Sequence, residues 1–113
     1  PAASNNGFCS NQCSPDEKSP AVTAFVEAYK KEYNSVPDAF AALSYDATRM
    51  IIEAMKKSNS ADPVKIKDEL AKTKNFAAVS GSISFNENHD PVKSAVIIEM
   101  KDGKQTFREK VNP

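Results

Sequence analysis

The stretch that most restricts the fold covers residues 37–57, the longest periodic segment of the chain. Phe40, Leu43, Ala47, Met50, Ile51 and Ala54 recur at i, i+3, i+7, i+10, i+11 and i+14, a spacing that draws one apolar stripe down a helix. Asp46, Arg49, Glu53, Lys56 and Lys57 fall on the opposite side, where water can solvate them. Glu53 stands four residues before Lys57, the orientation that favours a helix. Pro37 suits a first turn, because its missing N–H would have had no partner there. Asp38 complements the positive end of the helix dipole, and Lys56 and Lys57 complement the negative end. No catalytic motif sits on this helix.

Two further helices are expected. Ser19 is an N-cap and Pro20 a first helical residue, followed by a stripe of Val22, Phe25, Val26, Tyr29 and Tyr33. Asn34 is a left-handed stop, and the short connection Ser35-Val36 predicts that the second helix packs antiparallel beside the first. Aromatics at this spacing read as core before they read as ligand contacts. Asp62-Pro63 opens the third helix, with Val64, Ile66 and Leu70 as its apolar residues and residues 72–74 as its end. The charged Lys65, Lys67, Asp68 and Glu69 form a solvated face.

From Ser80 the period changes from 3.6 to 2. Ser82-Ile83-Ser84-Phe85 alternates after Gly81, and Asn86-Glu87-Asn88-His89-Asp90-Pro91 has the composition of a turn. Strands are expected over residues 95–100 and 105–110, joined by Asp102-Gly103, a strong hairpin signal because both turn positions need positive φ. If Lys101 pairs with Lys104, then Ile98 faces Phe107, Glu99 faces Thr106 and Ile97 faces Arg108.

A chain of 113 residues holds one modest core rather than two. Fifteen basic residues balance fifteen acidic ones, and no like-charged block offers a stripe for nucleic acid or an anionic membrane. No apolar run approaches the roughly 20 residues that span a bilayer. The opening Pro1-Ala-Ala-Ser-Asn-Asn-Gly lacks an initiator Met and a basic leader region, as expected of a cleaved or trimmed start, and names no compartment.

The residues that carry chemistry are few. Cys9 and Cys13 read as two small, partly buried residues or as a tight local disulfide in an oxidising compartment. A zinc site would need four ligands, and His89 is the only histidine, so no metal and no cofactor are expected. The usual redox motif has two intervening residues, not three. The glycines are scattered, no nucleophile–base pair is visible, and no carboxylate has a partner that would split its pKa from another's. The chain reads as a non-enzyme.

The order of the pieces is more informative than any one of them. Ser10-Asn-Gln-Cys-Ser-Pro-Asp-Glu-Lys-Ser-Pro20 is followed by Phe25-Val-Glu-Ala-Tyr-Lys-Lys-Glu-Tyr33 and by Pro37-Asp-Ala-Phe-Ala-Ala-Leu-Ser-Tyr-Asp-Ala47. Then come Gly81-Ser-Ile-Ser-Phe85, Asp90-Pro91-Val92 and a Lys-Asp-Gly-Lys hairpin. Over residues 8–113 this order resembles the C-terminal third of bacterial type I periplasmic binding proteins, the leucine/isoleucine/valine-binding type that serves ABC importers.

The resemblance implies an α/β fold in which two lobes joined by three crossovers close on a solute. Three helices followed by a β-hairpin region would be its C-terminal fragment. Residues 1–18 would be the extended crossover, 19–79 the helical part of one lobe, and 80–113 a β-rich crossover and hairpin. The larger part of such a protein, which holds the carboxylate and ammonium of an amino acid, would lie outside this chain.

The same resemblance carries ligand contacts onto Phe40, at the start of the second helix, and onto Tyr45 and Asp46 near the cleft mouth. Phe40 also reads as core, since it sits on the apolar stripe. The resemblance also makes Gln12 a ligand-binding candidate, at the crossover where relatives usually have a His followed by an aromatic. Relatives often have Gly in the turn where Asn88-His89 stands, and Asn tolerates positive φ there. The implied location is extracytoplasmic, in the periplasm or on a cell-surface lipoprotein. The implied partners are an amino-acid-type solute and, through the full-length protein, the membrane subunits of an importer. A different reading is a small α+β module that associates with itself to cover apolar surface and takes no small ligand.

Overall fold

The computed structural model describes residues 2–113. A 3-10 turn at Ala2–Ser4 leads to β1 (Phe8–Asn11), α1 (Pro20–Tyr33), α2 (Ala39–Ser58), α3 (Pro63–Ala71), β2 (Phe76–Ala78) and β3 (Gly81–Phe85). The chain ends in β4 (Pro91–Val92), β5 (Ala95–Lys101) and β6 (Lys104–Val111). The expected α/β character holds: three helices with two antiparallel three-stranded sheets, ordered β1-β5-β6 and β2-β3-β4. β1 lies in the segment expected to be extended over residues 1–18, of which Pro1 falls outside the described residues.

The helix ends follow from side-chain oxygens that meet the orphan N–H groups of a first turn. Ser19 Oγ accepts from the Val22 N–H at 3.3 Å, and Asp62 Oδ1 accepts from Val64 and Lys65 at 2.9 and 3.2 Å. Asn34 and Asn59 close α1 and α2 in the left-handed region at φ 51 and 46. At the start of α2 the expectation is corrected. Pro37 is a buried residue ahead of the helix, and Asp38 is the N-cap, accepting from the Ala41 N–H at 2.8 Å. Pro37 could offer that N–H no acceptor, whereas a carboxylate in an extended conformation can.

The apolar stripe of α2 is also corrected. Its buried residues are Ala42, Asp46, Met50 and Ala54, four apart each time. Phe40, Ala47 and Ile51 lie open. The helix is apolar on two sides, and only one of them is covered here. One core cluster joins Cys13, Val22, Val26, Ala42 and Val79, with Phe25 and Ala39 against it. A second joins Met50, Ala78 and Ile83, with Leu70, Phe76 and Phe85 against it. β2 was not expected from the sequence, being only the three residues Phe76–Ala78.

The hairpin keeps the expected register at Lys101 with Lys104, Ile98 with Phe107 and Glu99 with Thr106, and Asp102 and Gly103 take φ 51 and 73. Ile97 faces Glu109 rather than Arg108, because a bulge inserts one residue into β6 opposite Ile97 and Ile98. In the turn before β4, His89 rather than Asn88 takes the positive φ, at 65°.

The densest packing between elements falls within two sets: the three helices with the β2-β3-β4 sheet on one side, the β1-β5-β6 sheet on the other. Two stretches of chain join them, residues 12–19 and residues 93–94. The molecule is therefore extended, 52 × 34 × 21 Å with a radius of gyration of 16.2 Å. A compact chain of this length would have a radius of about 13 Å.

Candidate functional site

The two links run side by side. Lys93 in the second donates through Nζ to the main-chain carbonyl and to Oε1 of Gln12 in the first, both at 3.1 Å. Burial holds the Lys93 ammonium below its ordinary pKa; nearby Cys13 and Asp46 oppose this, and Lys110 adds to it. Burial likewise pushes the Cys13 thiol above its ordinary value, against the pull of Lys93. Cys13 is buried, Cys9 is exposed on β1, and both are free thiols. Lys110 on β6 meets Glu17 of the first link at 2.9 Å, a partly buried pair that ties the outer sheet to the link.

Asp46 is 1% exposed. The sequence pattern put it on a solvated face; the structure turns it inward, because two main-chain donors wait there. Its Oδ1 accepts from the Val79 N–H at 2.7 Å and its Oδ2 from the Ser80 N–H at 2.9 Å. These donors belong to the turn between β2 and β3, so the carboxylate fastens α2 to that turn. The next residue, Gly81, has φ +119, and a Cβ placed there would come within 2.6 Å of Ser94 Oγ in the second link. Only glycine allows this approach.

Phe40 stands in the first turn of α2 and is 79% exposed. With Ala47, Ile51 and Met55 it forms an open apolar face along the helix. Tyr45, five residues on and about 140° round the helix from Phe40, belongs to a different surface. Its ring lies 5.0 Å from Phe25, in a row continued by Phe25–Tyr29 at 5.9 Å and Tyr29–Tyr33 at 4.6 Å. The Arg49 guanidinium lies over Tyr45 at 5.7 Å and over Phe76 at 5.3 Å, and donates to the Ala77 carbonyl at 3.2 Å. The four rings and Arg49 line a groove of about 750 Å³ between α1 and α2, together with Ala21, Ala24 and Ala28.

The four residues singled out from the sequence therefore do not meet in one pocket. Gln12 is held at the links, Asp46 is locked beneath the turn, Tyr45 lines the α1/α2 groove, and Phe40 heads an open face. Among the described residues no group of His, Cys, Asp and Glu is gathered to hold a metal ion. Among the same described residues, no helix is long and apolar enough to cross a membrane. What the arrangement offers is apolar and aromatic surface on the helices beside the two links. Lys93, Glu17 and Lys110 were not singled out from the sequence. Lys93 and Gln12 are 81 residues apart, and no local pattern announces such a pair.

Residues 1–105 match the periplasmic binding protein family. Among solved structures, the leucine-binding protein LivK of Thermotoga maritima is 37% identical, with a TM-score of 0.85 over 98% of this chain and 32% of its own. The branched-chain amino acid transporter substrate-binding protein LivJ of Streptococcus pneumoniae, solved in complex with isoleucine, is 37% identical. Its TM-score is 0.81 over 94% of this chain and 30% of its own. A solute-binding protein of an ABC transporter from Rhodopseudomonas palustris, in complex with 3,4-dihydroxybenzoic acid, is 27% identical, with a TM-score of 0.82 over 97% and 32%. The chain thus spans about a third of the length of the structures it matches.

Proposed function

Because this chain belongs to the periplasmic binding protein family, we propose that it supplies part of the hinge and one wall of the solute cleft in an ABC-importer substrate-binding protein. It is read as the C-terminal part of a two-lobed protein whose remaining chain completes the site. The work is recognition without catalysis: a solute enters between two lobes, and the lobes close about links such as residues 12–19 and 93–94. The location is extracytoplasmic, and the membrane subunits of the importer are the partners of the whole protein.

The observation that carries this reading is Phe40, 79% exposed at the head of the open apolar face of α2. A large ring so placed stands ready to meet a solute across a cleft. Tyr45 is assigned to the mouth of that cleft. Gln12 is assigned to the hinge, where Lys93 holds it, and Asp46 to the same end of α2. The solute is of amino-acid type. Leucine and isoleucine are the first to try, given the names of two relatives, and an aromatic acid is the next, given the third.

The test is calorimetric titration of the gene product that carries this chain with leucine, isoleucine and valine, beside its Phe40→Ala variant. The reading expects the variant to bind about thirtyfold more weakly or worse, since truncating a buried aromatic anchor costs about 2 kcal/mol or more. Equal affinity in the two proteins would remove Phe40 from the site. No binding of any amino acid or aromatic acid would remove the reading.

The open face supports a second reading, a module that associates with itself. Ile51 and Met55 continue the face that Phe40 begins, and a second copy would cover them without any small ligand.

A further inference from the structure

The turn at residues 79–81 is where the parts of this molecule converge. α2 reaches it through Asp46, whose two oxygens accept from the Val79 and Ser80 N–H groups at 2.7 and 2.9 Å. The second link reaches it through Ser94, whose Oγ occupies the space in which a side chain at Gly81 would begin. The outer sheet reaches it through Lys110, whose Cε and Nζ lie 3.5 Å from the same point. The first link is joined through Glu17, which pairs with Lys110 at 2.9 Å. Four side chains and one missing side chain thus connect the helix that carries Phe40 to both links.

We propose that Asp46 is a positioning residue: by clamping α2 to the turn at residues 79–81, it sets the angle between the helical part and the β1-β5-β6 sheet. Its carboxylate is the connection because it alone bonds two consecutive main-chain donors of that turn from the helix. Those bonds, buried and charge-assisted, resist sliding in a way that apolar packing does not. With the clamp intact, a change in the angle at the second link is passed to α2 as a rigid body, and Phe40 moves with it. With the clamp lost, the sheet and the helix move independently. The angle claim stands on this chain alone. Only its consequence for solute affinity rests on the function proposed above.

The experiment places spin labels on the exposed native Cys9 of β1 and on a cysteine introduced by Lys56→Cys in α2 of the gene product that carries this chain. Distance distributions are recorded without solute. Asp46→Asn keeps one acceptor but turns an amide N–H toward a donor, and should broaden the distribution and shift its mean. Asp38→Ala removes the exposed N-cap of the same helix and should weaken α2 while leaving the distribution unchanged. Gly81→Ala, which pushes on Ser94 from outside the helix, should shift the mean even if Asp46→Asn fails to fold. The proposal is overturned if both Asp46→Asn and Gly81→Ala reproduce the parent distribution, or if Asp38→Ala disturbs it equally. L-Leucine titrations of the same proteins should show about tenfold weaker binding for Asp46→Asn. A shifted distribution in a protein that binds no leucine would uphold the clamp and count against the solute reading alone.

Discussion

The Lys93 ammonium donates to both the main-chain carbonyl and the side-chain carbonyl of Gln12, each at 3.1 Å, and so pins the two links together at one point. Burial lowers the Lys93 pKa below its ordinary 10.5. Between that lowered value and 10.5 the unfolded chain binds more protons than the folded one, so this group makes the fold more stable as pH rises through the window. Lys93→Met should flatten that rise in denaturant titrations carried from neutral pH to 10.5. It should also speed amide exchange across residues 12–19. Unchanged exchange there would show that the pin bears no load.

The two thiols should differ sharply. Cys9 is exposed, whereas Cys13 is buried with its pKa raised above 9.0. Only the thiolate reacts. An alkylating reagent at mildly alkaline pH should therefore modify Cys9 at once and Cys13 only as the chain unfolds. Stability should follow the same sign. A raised folded pKa favours the fold below 9.0, and that advantage is lost as pH climbs through the folded value. The chain should thus lose stability relative to Cys13→Ala above pH 9.0. Prompt double modification of folded chain would contradict the burial.

Asp46→Ala removes a buried, charge-assisted acceptor and leaves the Val79 and Ser80 N–H groups without it. The cost should be about 3 kcal/mol, read as a shift in the urea midpoint. Phe40→Ala, on the open face, should change the stability of the monomeric 113-residue chain, measured below the concentration at which copies associate, by less than about 0.5 kcal/mol. A large loss at Phe40 would mean that the ring is covered in solution.

The open face of α2 should bring copies of the isolated chain together. Sedimentation at tens of micromolar should show association that Ile51→Lys abolishes, because a charge at the centre of an apolar interface is costly to bury. A monomer at that concentration would remove the idea.

Local rules were legible in the residues, and surroundings were not. Ser19, Asn34, Asp62 and Asp102-Gly103 act as their side chains and φ preferences require, since each needs only near neighbours. The face that α2 buries could not be read, because Phe40, Ile51 and Met55 are as apolar as Met50 and Ala54 and nothing in the helix says which side meets the rest. Asp46 read as solvated because its partners lie 33 and 34 residues away. Pro37 competed with Asp38 for the helix start, and the N-cap hydrogen bond decided it. The bulge opposite Ile97 and Ile98 is not announced by the Asp102-Gly103 turn, which fixes the register only from Ile98 to Lys101. Of the candidate site, the residues themselves showed only apolar and aromatic side chains at helical spacing. The roles given to Phe40, Tyr45, Asp46 and Gln12 at the cleft came from the family resemblance and are carried here as proposals.

The most direct test compares leucine and isoleucine binding by the 113 residues alone with binding by the gene product that carries them. If this chain is one wall of a cleft completed by other chain, calorimetry should register micromolar binding for the gene product and no measurable heat for the 113 residues. Micromolar binding by a monomer of the 113 residues alone would contradict the account, because the site would then be whole within a chain that leaves Phe40 open to water.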